Sequence, residues 1–501
     1  MPYVRTVKTA SGKTAVQIVW SSTKGSRQIE HLGSAATEAE VELLKAAGRQ
    51  KLLAGQGELD LGIQPPPQAG GPLHITSSRM SHLWDSLSAA YDALGFDTAA
   101  QDEVFRQLVL ARIIEPTSKA DAPRVIAEAG ITPASDRTIT RRLNLYSAIG
   151  FREQLAAACA AQVNLGPATL VLYDVTTLYF ETDEGDGFRE PGFSKERRLE
   201  PQITVGLLSD ANGFPLMVHA FEGNKAETKT MLPTLRAFME THGLHDVVIV
   251  ADAGMVSESN MDAIEAAGLS YILGAKMPRV PYVLEQWRKD HADQDVPDGL
   301  TLTARWPGGP STKGRDATTF YQYAHDRGRR TIKGIEAQVA KAEAAVAGKA
   351  SVKRNRFVQL AGGTRSVNRE LEEKAKALAG WKAYVTNLPD PDAEQVIGSY
   401  RRLFQIERSF RMAKSDLRAR PIYHRKQDSI DAHLTIVFAA MAVAHWVEQA
   451  TSWSIKRFVK TARRYRTFTI AAGEHTITAV DPVPDDLAEA LDRIKDRSQA
   501  H

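Results

Sequence analysis

The sequence predicts an α/β protein with a mixed central sheet, flanked by a small N-terminal β unit and a helical region. Three observations carry that prediction. Apolar, β-branched runs recur at "ATLVLYDVTTLYF" (168–180), "PQITVGLLSD" (201–210), "FPLMVHAFEG" (214–223), "DVVIVADAG" (246–254), "SYILGAK" (270–276) and "WKAYVTNLP" (381–389). A tight "ANG" turn (211–213) joins the second run to the third, which makes them an antiparallel hairpin. After that hairpin, helical and strand patterns alternate, as they do where strands run parallel.

Taken in order, residues 1–64 read as a basic β unit and a helix. "TAVQIVWSS" has the pattern of a strand, and Thr37 with Glu40 forms a capping box opening "TEAEVELLKAAGRQKLLA". "QPPPQAGGP" (64–72) is an extended linker. The region 73–165 is helical, with i, i+3, i+4 apolar spacing in "QDEVFRQLVLARII". Inside it, "ADAPRVIAEAGITPASDRTITRRLNLY" (120–146) reads as a helix, a Gly130 stop, a turn at Pro133, a Ser135 cap and a second helix. That is helix-turn-helix spacing, with Arg137, Arg141 and Arg142 on the second helix; an ordinary helical hairpin has the same pattern.

Residues 166–276 are then the first part of the α/β core and 381–450 the second. Between them, 277–380 breaks the rhythm and reads as an insertion, while 451–501 reads as a C-terminal tail. In "AETKTMLPTLRAFMETHG", Pro233 either kinks a helix or marks its later start.

Composition narrows the function classes. With 501 residues, 43% hydrophobic and 25% charged, the chain has room for several globular domains. Its single cysteine, Cys159, excludes an intrachain disulfide and a cysteine-based zinc cluster, and it reads as a core residue in a reducing cytoplasm. No signal peptide is expected from the opening residues. "LTIVFAAMAVAHWV" (434–447) falls short of the roughly 20 residues of a spanning helix, so it is expected to be a buried core helix with no membrane partner. The net charge is only +3, so any nucleic-acid contact must come from a local basic surface.

Such a surface is present. Between Tyr400 and Lys426 the basic residues 401, 402, 408, 411, 414, 418, 420, 425 and 426 face acids at 407 and 416 alone. Solvated helices usually interleave the two signs. Two further acids stand out: Asp174 inside an apolar strand and Asp252 at the end of another, where an ionised carboxylate is costly unless paired or bound to a cation. A cap or turn aspartate is the ordinary alternative, and it suits Asp252 better. Glu407 lies seven residues from both Tyr400 and Lys414, about two α-helical turns, so the three would share one line along a helix. Three carboxylates on two strands and a helix suit two Mg²⁺ ions and phosphodiester chemistry, with the arginines gripping the backbone.

The stretches "YDVTTLYFE", "GFSKERR", "PQITVGLLSD", "FEGNKAETKT", "VIVADAGMVSESN", "YILGAK" and "YRRLFQIERSFRMAKSDLRARPIYH" resemble, in order over about 165–440, the DDE transposases of bacterial insertion sequences. The resemblance is to the group with a Tyr-Arg-Glu-Lys signature on the helix bearing the third acid. It implies a ribonuclease-H-like core in which the first and fourth strands are neighbours. Asp174, Asp252 and Glu407 would then be the catalytic, metal-binding triad for two Mg²⁺ ions, which Mn²⁺ can replace. Tyr400 and Lys414 would contact DNA phosphates near the cleavage site. The family arginine falls on Leu403, so Arg402 is the nearest substitute. Arg411, Arg418 and Arg420 are further DNA-contact candidates, with Arg141 and Arg142 from the helical region. Lys195, Arg197 and Arg198 in "GFSKERR" either touch DNA or form a solvated turn. The expected partners are double-stranded DNA, as terminal inverted repeats and as target, and further copies of the chain that bring two element ends together. A same-fold nuclease or resolvase, and a non-catalytic DNA-binding protein, stay open at this point.

Overall fold

In the computed structural model the middle of the chain, Ala160–Phe410, forms one unit, and the two flanks, Met1–Cys159 and Arg411–His501, together form the other. The structure describes residues 2–9, 12–21, 28–53, 74–163, 165, 169–182, 184–192, 200–226, 229–242, 247–255, 257–292, 294–306, 316–349, 355–361, 364–472 and 475–499. The expected linker at 64–72 and the loop residues Lys195, Arg197 and Arg198 lie outside them.

The first flank begins with strands β1 (Tyr3–Lys8), β2 (Thr14–Ser21) and β3 (Gln28–Ala35), an antiparallel meander. Its inward residues Val16 and Ala35 pack with Val41 of helix α1 (Glu38–Leu53). The capping box forms: the Thr37 amide donates to Glu40 at 3.2 Å, and the Glu40 amide donates to Thr37 Oγ1 at 3.4 Å. Next come β4 (His74–Arg79), α2 (Ser81–Ala93), α3 (Phe96–Ala100), α4 (Glu103–Ile114), α5 (Ala122–Glu128), α6 (Asp136–Tyr146) and α7 (Ile149–Ala161). The α5–α6 turn follows its sequence signals. Gly130 has φ +84° and lies so close to Arg79 that an added Cβ would come 2.7 Å from that residue's Cα. Ser135 Oγ accepts the Thr138 amide at 3.2 Å. Ile139, Leu143 and Tyr146 turn inward, leaving Arg137, Arg141 and Arg142 exposed, and Arg142 pairs with Asp102 at 3.3 Å.

The middle unit contains β5 (Thr169–Tyr179), β6 (Gln202–Ser209), β7 (Pro215–Glu222), α8 (Met231–His242), β8 (Val247–Ala251), α9 (Glu258–Ala266), β9 (Ser270–Ala275) and α10 (Tyr282–Asp290). It continues through β10 (Thr301–Arg305), β11 (Thr318–Tyr323), α11 (His325–Val346), β12 (Val358–Ala361), β13 (Thr364–Val367), α12 (Arg369–Ala377), β14 (Trp381–Thr386), α13 (Ala393–Arg401) and α14 (Leu403–Arg411). Its eight-stranded mixed sheet has the order β10-β11-β14-β9-β8-β5-β6-β7, with β5–β8 and β8–β9 parallel and the other pairs antiparallel. Pro233 sits in the first turn of α8, where a missing N–H costs little, so the helix simply starts later than the apolar pattern.

In the stretch 277–380, expected as an insertion, β10 and β11 add to the edge of the same sheet through β14. Its remaining part has a small core of its own, in which Ile335, Val339 and Ala342 of α11 pack with Phe357.

One expectation is corrected: 451–501 is not a tail. After a π-helical turn (Met412–Asp416), the last flank forms α15 (Gln427–Thr451), α16 (Ile455–Ala462), β15 (Thr467–Ala472), β16 (His475–Val480) and α17 (Asp485–Gln499). β15 lies between β16 and β4, and α17 packs on α2 and α15 through buried Leu487, Ala490 and Ile494. Helix α15 reaches 25 residues, longer than its apolar run and long enough to cross a membrane. Its most apolar window is 94% buried within the protein, as a core helix would be.

Candidate active site

Strands β5 and β8 pair in parallel, with Leu172 opposite Val250 and Tyr173 opposite Ala251. The next residue on each strand is an aspartate, so Asp174 and Asp252 stand side by side where β8 ends and β5 continues. Such carboxyl ends of parallel strands are where open α/β sheets carry their sites. Asp174 is half-buried and accepts the Val175 amide at 2.8 Å; Asp252 has left the sheet and is exposed.

Tyr400, near the end of α13, reaches this pair through its hydroxyl. It is buried, and its hydroxyl donates to Asp252 Oδ1. Room for the ring comes from Gly274 of β9, where a Cβ would lie 2.5 Å from Tyr400 Oη. Tyr384, opposite Gly274 on β14, packs against the Tyr400 ring at 4.9 Å between centroids. Burial pushes the Tyr400 pKa well up, and the hydrogen bond and charge of Asp252 add to it, with smaller contributions from Tyr384 and Asp174. The phenol is therefore held as a donor. The side chain expected to meet a DNA phosphate is turned inward onto a carboxylate instead.

Lys382 on β14 was not a sequence candidate. Its ammonium lies 4.2 Å from the centre of the Tyr400 ring. Burial pulls its pKa below the ordinary value, the charge of Asp252 opposes that, Arg327 adds to it, and Glu407 opposes it again. Lys382 is thus a cation that feels both Asp252 and Glu407. The signal for it was a lysine inside the strand run "WKAYVTNLP".

Glu407 is exposed on α14. That helix is seated by the β6–β7 turn: Ser409 Oγ donates to the Gly213 carbonyl at 2.7 Å, and Gly213, at φ +86°, would bring a Cβ within 2.7 Å of the Gln405 carbonyl. The alignment expected for Tyr400, Glu407 and Lys414 assumed one continuous α-helix. The helix is instead interrupted at Arg402, where the Arg402 amide bonds to the Ser399 carbonyl at 3.1 Å and the Gln405 amide to the Arg402 carbonyl at 2.8 Å, three residues back in each case. It then changes to π-helix at Met412. Seven-residue spacing therefore does not map onto one line. Among the described residues, no three His, Cys, Asp or Glu side chains come together as a metal-holding group. What the fold assembles is Asp174, Asp252, Tyr400 and Lys382.

The other expected contacts are divided between the two units. Arg402 caps α13 and is exposed. Arg411, Lys414, Arg418 and Arg420 belong to the unit built from the flanks, as do Arg141 and Arg142. Arg411 and Arg418 are exposed, while Lys414 and Arg420 are half-buried.

Residues 166–443, more than half of the chain, match the family described as Transposase DDE domain. No curated protein matches the chain. Among solved structures it is similar to the piggyBac transposase in a synaptic complex with hairpin DNA, at 11% identity and a TM-score of 0.38, covering 83% of this chain and 74% of that one. A likeness this loose carries no argument.

Proposed function

The chain belongs to the transposase DDE domain family, and from that premise we propose that it is a bacterial insertion-sequence transposase of the Tyr-Arg-Glu-Lys group with a ribonuclease-H-like core. It binds the terminal inverted repeats of its element, hydrolyses phosphodiesters at the ends and joins the freed 3′-OH ends to target DNA. It acts in the cytoplasm as an oligomer, since two ends must meet. The observation that carries this reading is the register of β5 with β8, which puts Asp174 beside Asp252.

Asp174, Asp252 and Glu407 would hold two Mg²⁺ ions, or Mn²⁺ in their place; an all-carboxylate donor set suits such hard cations. When bound, the ions activate the attacking oxygen and stabilise the leaving one. The chain's own groups do the positioning. Tyr400 fixes one oxygen of Asp252 through its hydrogen bond. Lys382 sets a positive charge among the acids and offers its ammonium to an incoming phosphate. Arg402, Lys414, Arg411, Arg418, Arg420, Arg141 and Arg142 grip the backbone through phosphates, which give affinity without reading sequence.

The test uses purified protein and a labelled duplex carrying the element's terminal repeat, with Mg²⁺ or EDTA, beside Glu407→Ala. Cleavage at the repeat boundary that needs both the metal and Glu407, followed by joining to a second DNA, is the expected result. Cleavage without joining would make the protein a nuclease. Specific binding without cleavage, in Mg²⁺ and in Mn²⁺, would make it a DNA-binding protein.

A further inference from the structure

Within the unit built from the flanks, a groove of about 3190 Å³ runs between the β1–β3 meander, the corner after α4, the 414–424 stretch and α16. Among the described residues fourteen lysines and arginines line it, against six carboxylates. Most of those carboxylates are engaged inside the protein. Glu115 accepts from Arg124 and Arg463, and Asp121 from Arg124 and Thr117. Glu128 accepts from Ser34 and Arg124, and Glu40 caps α1.

The cations facing the groove are arranged differently. Lys456 and Lys460 are exposed one turn apart on α16, about 6 Å of helix rise, and Arg464 follows at the same sequence interval. Lys460, Arg464 and Arg418 form no ion pair among the described residues.

A recess of about 20 Å³ adjoins the groove, lined by Arg112 and Lys119 with Thr117, Ser118, His424 and His433. It has room for one water-sized group, such as a single phosphoryl oxygen. Arg112 makes no hydrogen bond or ion pair among the described residues. Burial pulls its pKa down to about 10, which leaves the guanidinium charged at neutral pH. The histidines supply no counter-charge. Burial and the neighbouring cations push His424 down to about 4 and His433 well below its ordinary value, and His433 Nε2 donates to the Ala419 carbonyl at 3.0 Å. Arg112 is half-buried, and a cation partly withdrawn from water without an anion is costly, so a site of this kind is completed by one from outside.

We propose that this groove holds the backbone of duplex DNA, with one phosphate seated on Arg112 and Lys119 and others along Lys456, Lys460 and Arg464. The row of cations calls for an extended polyanion rather than an isolated ion. The inference rests on reading the chain as a DNA-handling protein and adds where the duplex is gripped.

The experiment is fluorescence anisotropy of a labelled random-sequence duplex with the full-length protein over a series of NaCl concentrations. Each phosphate contact contributes about 0.9 to the slope of log K against log salt, so the Lys456→Ala/Lys460→Ala/Arg464→Ala variant should lose about 2.7 of slope. Arg112→Gln should weaken binding about tenfold, the scale of one charge-assisted hydrogen bond. The melting temperature of DNA-free Arg112→Gln should hold or rise, because an unmatched, half-buried charge is removed; a structural role would lower it. Wild-type binding with unchanged slope and affinity in both variants overturns the groove and leaves the transposase reading standing. A wild type that binds no duplex at any salt overturns both. If Arg112→Gln loses calorimetric binding of inorganic phosphate but keeps its DNA affinity, the recess is a small-anion site and the proposal fails.

Discussion

The sheet-end cluster and the basic recess are built on opposite signs. At the end of β8, Asp174 and Asp252 stand together, and the Lys382 ammonium feels the charge of Asp252. In the recess, Arg112 and Lys119 stand together with no carboxylate at all, beside two histidines held neutral. Other charges in the flank unit are matched internally, as where Arg124 meets Glu115, Asp121 and Glu128 at once. In the recess, a guanidinium without a facing carboxylate marks where an anion can come from solution.

The largest expected effect breaks the acidic side of the comparison. Asp252→Ala should lower cleavage by about a thousandfold, the scale on which one preorganised electrostatic group acts, while duplex affinity changes little. Equal losses of cleavage and binding would mean that the two functions are not divided this way.

Glu128→Gln tests the claim that acids near the groove serve the fold. Burial alone would raise the Glu128 pKa, but hydrogen bonds from His31 and Ser34 and the Arg124 guanidinium hold it down at about 2, against 4.5 in the unfolded chain. Its stabilisation is therefore complete above the unfolded value and is lost as pH falls from about 4.5 towards 2. At neutral pH the variant should be less stable by about 3 kcal/mol, a difference that vanishes in acid; urea titration at several pH values reads it.

Tyr400→Phe sharpens the acidic side. Losing the bond to Asp252 should reduce kcat about tenfold, as removing a partner of a metal-binding side chain does, with DNA affinity unchanged. A fall in affinity at constant kcat would restore Tyr400 as a phosphate contact. The smallest effect belongs to Ser409→Ala, which removes the bond seating α14 on the β6–β7 turn and should cost about 1 kcal/mol in denaturant unfolding.

Much of the middle unit was legible because its signals are local. The "ANG" turn, the apolar strand runs and the cap residues act within a few positions. The aspartate pair is not local: its strands lie far apart in sequence, and only the family resemblance implied that they are neighbours. Other features depend on register between distant segments. Lys382 meets Asp252 because β14 joins the sheet beside β9, and nothing near residue 382 specifies that neighbour. β15 finds β4 across most of the chain, so "451–501" read as a tail. The interruption at Arg402 falls within a run of good helix formers, where periodicity signals no break. Arg112 did leave a trace, a lone arginine inside the apolar "LVLARII", whose meaning appears only when the surrounding recess is seen to lack an acid.

Along the sequence, the middle unit interrupts the two stretches that form the other, and β4 waits for β15. During synthesis, which runs from the N-terminus at about 5–20 residues per second, the sheet that carries the aspartates can close as soon as α14 has emerged. The flank unit cannot close until β15 and α17 have followed. A ribosome that stalls between them leaves a chain with a closed middle unit and an unfinished flank unit, so on the proposed function a truncated product would keep its carboxylates and lose its hold on DNA.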